Sequence, residues 1–116
     1  MTARQPTRPF DEIFPPPVDV EVWTSRATIY ATYRGIGPDT PVVAHAEVRA
    51  YEAFEQRAGD PVSDRTGLRT YRNYYWVLVR VGQDLGWIPA VYLKGGPDNH
   101  PQPRVRPALP DCWEWH

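Results

Sequence analysis

The chain has 116 residues, is 41% hydrophobic and carries a formal net charge of −1. That length suits one domain with a modest core, and the near-neutral charge supplies no field that would gather nucleic acid or an acidic membrane. No apolar run approaches the roughly 18 residues of a membrane-spanning helix, and a single cysteine, Cys112, excludes an intrachain disulfide framework.

Residues 1–17 hold five of the 14 prolines, Pro15, Pro16 and Pro17 in a row among them, and read as an extended polyproline arm. Phe10, Ile13 and Phe14 give the arm apolar side chains suited to lying on a surface, its own or a neighbour's. VDVEVW then alternates: Val18, Val20 and Val22 share one face, Asp19 and Glu21 the other, which predicts a half-buried strand. A second strand is expected at ATIYATY, residues 27–33, before RGIGPDTP, where Gly35, Gly37 and Pro38 mark tight turns.

Residues 42–57, VVAHAEVRAYEAFEQR, carry two signals. Ala, Glu, Gln and Arg suit a helix. Ala44, Ala46, Val48 and Ala50 recur with period two behind the β-branched pair Val42-Val43, and this alternation favours a strand. GDPVSDRTGLRT, residues 59–70, reads as a long turn-rich connection. YYWVLVRVGQDLGWIPAVYL, residues 74–93, reads as a hairpin broken at VGQDLG, and a proline-rich stretch runs from Gly95 to the end. The organisation expected is an N-terminal arm over 1–17, an all-β body over 18–94 forming a small barrel or sandwich, and a tail over 95–116.

Along the first strand of the hairpin, Tyr75, Val77, Val79 and Val81 share one face and Trp76, Leu78 and Arg80 the other. The valine face is the expected core face, which leaves Trp76 looking outward or into a groove. Ile88 and Leu93 are expected core positions in the second half. Pro89 lacks an N–H and belongs at an edge or a strand end. Trp76, Pro89 and Tyr92 would then converge as an aromatic-walled slot. Tyr30, Tyr33 and Trp87 are further candidates for it, Trp87 partly packed; the alternative for all six is that they cover a small core.

A strand opened by Trp76, a turn, and then Gly86-Trp87-Ile88-Pro89-Ala90-Val91-Tyr92-Leu93 resembles the last part of a Src-homology-3 (SH3-like) domain. ATYRGIGPDTPVV, residues 31–43, is similar to a stretch of bacterial SH3-like domains, whereas the ALYDY-type motif of eukaryotic members is absent. The resemblance implies an SH3-like barrel in which Trp76, Pro89 and Tyr92 line a groove for a polyproline peptide. Bacterial relatives more often bind cell-wall peptides or mediate protein contacts, and some are only structural.

The tail carries RVRPALP, in which Arg104, Pro107 and Pro110 match the R-x-x-P-x-x-P pattern that such grooves recognise. Polyproline II has three residues per turn, so the two prolines share a face. The 14 residues from Leu93 to Pro107 span up to about 45 Å, enough to reach the chain's own groove. A packed tail and a plain spacer are the alternatives.

His45, His100, His116 and Cys112 show no metal-ligand spacing, and no phosphate-binding, dinucleotide or hydrolase motif is present, so neither a cofactor nor a catalytic site is expected. Asp60, Asp64 and Asp84 sit in turn-like contexts, where Asp bonds local backbone. Residues 65–80 interleave Arg65, Arg69, Arg72 and Arg80 with Tyr71, Tyr74, Tyr75 and Trp76, a mixture that binds single-stranded nucleic acid, but the acidic residues elsewhere cancel its charge and no such partner is expected. The reading is a non-catalytic module for an extended, proline-rich or cell-wall peptide. The alternative is a structural subunit of a phage particle or cell-surface complex, held through its arms. With no apolar signal segment over MTARQPTRPFDEIF and one thiol, the compartment stays open between cytoplasm, export by a removed leader, and virion.

Overall fold

A computed structural model of the chain describes residues 17–66, 68–95, 98–103 and 105. Among the described residues six strands, β1 (Val18–Glu21), β2 (Thr28–Tyr30), β3 (Val42–His45), β4 (Ala50–Thr66), β5 (Arg69–Val81) and β6 (Asp84–Pro89), are followed by one 3-10 turn over Ala90–Tyr92. They form a single antiparallel sheet in the order β1-β4-β5-β6-β2-β3. The protein is all-β, as its alternation predicts. Strands β1 and β3 remain as edges, so strand pairing among the described residues does not close the sheet. One isolated bridge, Val22 to Leu93, ties the residue after β1 to the residue after the 3-10 turn, and Trp23 N donates to Tyr92 O beside it at 3.1 Å.

Strands β5 and β6 form the expected hairpin. Val81 pairs with Asp84 across a two-residue loop whose first residue, Gly82, has φ +63°, a conformation that suits glycine in a hairpin turn. Val77, Val79 and Ile88 are fully buried and Leu93 nearly so. Trp76 pairs with Pro89, the last residue of β6, where a missing N–H breaks no further ladder bond.

The strand favoured over 42–57 is present in two pieces, β3 and the start of β4. Two sequence expectations change. The second strand is cut to Thr28–Tyr30. The largest difference is at 59–70. It forms the outer half of a long β4–β5 hairpin rather than a turn-rich connection, with Val62 paired to Asn73 and Arg65 to Thr70. The turn-forming residues Gly59, Asp60 and Pro61 are absorbed as a register shift between Ala58 and Val62. Gly59 is required there, because a Cβ would stand 1.9 Å from the carbonyl oxygen of Tyr33 and 2.8 Å from the Trp76 ring.

The tail continues the core. Gln102 and Val105 are buried against the valine side of the sheet, and Val105 belongs to the main apolar cluster. The buried Gln56 side chain holds them. Its amide donates to Gln102 O at 2.9 Å and to Val105 O at 2.5 Å, and its oxygen accepts from Gln102 N at 2.7 Å. Asn73 Nδ2 donates to His100 O at 2.9 Å on the same face. One amide thus satisfies three buried backbone groups.

Candidate binding cleft

Trp76 is 1% exposed. The expectation that it looks outward therefore fails, and the reason is that chain from elsewhere covers its face of the sheet. The register shift in β4 carries Asp60 over the indole, whose N–H donates to Asp60 O at 2.8 Å. Tyr30 of β2 meets the ring edge-on, with centroids 6.0 Å apart at 62°. The tryptophan is a floor whose polar handle is already engaged.

Above that floor lies a cleft of about 350 Å³, lined by Arg26, Thr28, Tyr30, Ile36, Asp60, Pro61, Val62, Trp76, Pro89 and Tyr92. Trp76, Pro89, Tyr92 and Tyr30 are thus brought together from β5, the end of β6, the 3-10 turn and β2. Asp60 joins the loop after β2 to this site. Its carboxylate accepts from Gly35 N at 3.2 Å and Ile36 N at 2.8 Å, and its own N–H donates to Tyr33 O at 3.1 Å. The turn-like setting of Asp60 anticipated hydrogen bonds to backbone, but its partners lie on a loop far away in the chain. Ile36 is held at the cleft by this bond, which strengthens because the acceptor is charged.

The mouth is polar. Arg26 forks onto Asp64, Nη2 to Oδ1 at 2.8 Å and Nε to Oδ2 at 3.2 Å, with the Arg26 side chain 51% exposed and that of Asp64 9%. The hydrogen bond to Asp64 raises Arg26 above the ordinary guanidinium value. Burial, and then the Asp64 carboxylate beside it, pushes the Tyr92 phenol above the usual tyrosine value.

No family model, no curated protein and no solved structure matches this chain.

Tyr33 and Trp87 stand apart from the cleft. Their rings pack at 4.5 Å, with Arg34 and Arg57 over the tyrosine at 5.1 and 5.9 Å. Arg104, Pro107 and Pro110 lie outside the described residues, and so does the N-terminal arm before Pro17. Of the arginine–tyrosine stretch, Arg80 pairs with Glu52 at 3.2 Å and Arg69 stacks on Tyr71 at 4.9 Å. Among the described residues no group of three His, Cys, Asp or Glu side chains could hold a metal, and no helix is long and apolar enough to cross a membrane.

Sequence reasoning missed Arg26, Thr28, Ile36, Pro61 and Val62. Two of these had a signal. Ile36 is the one apolar side chain inside a glycine and proline loop, where it needs a surface to cover, and the Gly59-Asp60-Pro61 run could have marked a bulge as readily as a turn.

Proposed function

We propose that the chain is a non-catalytic binding module with an SH3-like β body, and that the cleft over Trp76 takes an extended proline-containing peptide. The convergence of Tyr30, Pro61 and Tyr92 around a floor made by the buried rings of Trp76 and Pro89, the latter expected on an exposed wall, supports this reading most directly. A polyproline II segment presents pyrrolidine edges every third residue and enters binding with little ordering cost, so a slot with ring walls suits it. Tyr30, Ile36, Pro61 and Tyr92 are the side chains available to a ligand, whereas Trp76 acts through the shape it gives the floor. The SH3-like reading of the body is supported by the course of residues 76–93. They run as strand, hairpin turn, strand and 3-10 turn, and then return to Val22.

The test is a titration with a ten-residue proline-rich peptide, read from the indole N–H resonances, beside a muropeptide of similar length as the cell-wall arm. The proline-rich peptide is expected to shift the Trp76 indole, and Tyr30→Ala to weaken binding about tenfold with the fold intact by circular dichroism. Absence of any shift with either ligand, or equal affinity in the Tyr30 variant, would rule the cleft out as the site.

A further inference from the structure

On the far side of Tyr92 a second cleft opens, of about 310 Å³, between the β4–β5 hairpin, the 3-10 turn and the tail. Trp23 and Tyr71 wall it with ring centroids 5.6 Å apart. Ala90, Val91 and Leu93 give it an apolar base, and Arg72, Lys94 and Asp98 bring charge to it. The two clefts lie along one seam. Pro89 and Tyr92 line the first while Ala90, Val91 and Leu93 line the second, so consecutive residues of the turn serve both. On the hairpin side, Asp60 to Val62 and Trp76 belong to the first, Tyr71 to Asn73 to the second. Between them stands a ridge of two rings, Trp23 and Tyr92, packed at 6.3 Å, with Arg26 covering Trp23 at 5.3 Å.

The clefts differ in charge. One cation, Arg26, and one carboxylate, Asp60, line the first; two cations, Arg72 and Lys94, and one carboxylate, Asp98, line the second. Each has a flanking acid in an ion pair, Asp64 on Arg26 at 2.8 Å and Glu21 on Lys94 at 3.2 Å. Counting these lowers both sums by one, so the second cleft stays more positive by one charge. Both lining carboxylates are partly spent on backbone, Asp98 on Arg72 N at 3.2 Å and Asp60 on Gly35 N and Ile36 N, so the difference lies in the second cation.

We infer that the two clefts form one binding track, and that its occupant is a single extended peptide with a proline-rich segment over Trp76 and a carboxylate-bearing end over Trp23 and Tyr71, beside Arg72 and Lys94. This rests on the reading of the first cleft as a peptide site and adds the length and charge order of the ligand. A ten-residue polyproline II peptide spans roughly 30 Å, long enough to cross a ridge of two rings packed at 6.3 Å and leave residues on both sides. The acidic end meets two cations, Arg72 and Lys94, in the second cleft, against one in the first, Arg26, which is already forked onto Asp64.

The experiment compares three ten-residue peptides with the same proline-rich centre. One carries two glutamates at its N-terminal end, one carries them at its C-terminal end, and one has glutamines in their place. Binding is followed at the indole N–H of Trp76 for the first cleft and of Trp23, which donates to Val91 O at 2.9 Å, for the second. One acidic peptide should bind about tenfold tighter than the glutamine peptide at low salt, with the gap narrowing at moderate salt, and it alone should move Trp23 strongly. The double variant Arg72→Gln, Lys94→Gln should erase that gap, so that the acidic and glutamine peptides bind it equally; both side chains are exposed, so the fold should tolerate it. Movement at Trp76 with none at Trp23, equal affinities for all three peptides, or a preference that survives the double variant would overturn the track and leave the first cleft standing. Silence at both indoles removes both readings.

Discussion

The two faces of β5 are buried by different means. On the valine side, Val77 and Val79 meet Ile88, Ala53 and Val105, and the polar groups of the incoming tail are taken up by Gln56 and Asn73. On the other side, Trp76 is covered by one tyrosine and by backbone from the β4 register shift, leaving a concave surface open to solvent. A small sheet thus has one face sealed by apolar side chains plus one amide clasp, and one face sealed only at its floor. A sealed face supplies stability; a half-sealed face with ring walls can take a ligand.

The largest effect that separates the faces should come from Trp76. Trp76→Ala removes a fully buried indole and is expected to cost about 3–5 kcal/mol in urea unfolding. Trp76→Phe keeps much of the floor but orphans Asp60 O, at about 1–2 kcal/mol. Should Trp76→Ala unfold at the wild-type urea midpoint, the indole is not a structural floor and the contrast between the faces is lost.

Next in size is the clasp on the sealed face. Gln56→Leu preserves volume but leaves Gln102 N–H and Val105 O without their partner, and leaves Gln102 O with the Val105 N–H alone. Those groups either stay buried unpaired or regain water by undocking the tail, so about 2 kcal/mol should be lost. The readout specific to the clasp is limited proteolysis. Cleavage within 98–105 should accelerate while the β body stays intact. Unchanged cleavage there would show that the tail is held by Val105 packing rather than by the amide.

This contrast also explains how much could be read in advance. The valine face was legible because its signal is local: alternation over 75–81 and a two-residue turn with Gly82 fix which side chains are inside. Trp76, Pro89, Tyr92 and Tyr30 were picked out as candidates and Trp76 does face away from the valines, yet its burial was not foreseen, since alternation does not say what lies on that face. What lies there is Asp60 and Tyr30, the first brought by a register shift some 16 residues upstream. The same non-local step hid the role of 59–70. Gly-Asp-Pro has the composition of a turn, and only the carbonyl of Tyr33 and the ring of Trp76 pressing on Gly59 decide that it is a bulge within a strand. Gln56 was invisible for a related reason: nothing in AFEQRA marks a glutamine as buried until the tail arrives to use it.

The smallest expected effect is the sharpest probe of the open face. Burial and the neighbouring Asp64 carboxylate raise the Tyr92 phenol above its ordinary value of about 10, and burial, then the hydrogen bond with Tyr74, raises the Tyr75 phenol on the valine side. A raised folded-state value means that the folded protein holds the proton longer than the unfolded chain. The stability each tyrosine contributes is therefore complete below about pH 10 and is lost as the pH climbs through the folded value. Tyr92→Phe should change stability at neutral pH by about 1 kcal/mol or less, through loss of the Asp64 contact, while flattening part of the alkaline decline; Tyr75→Phe should flatten another part. The two faces then separate on adding ligand. A peptide seated in the cleft covers Tyr92 and should push its titration still higher, leaving that of Tyr75 unmoved. Equal displacement of both phenols, or of neither, would mean that the open face is not where the peptide sits.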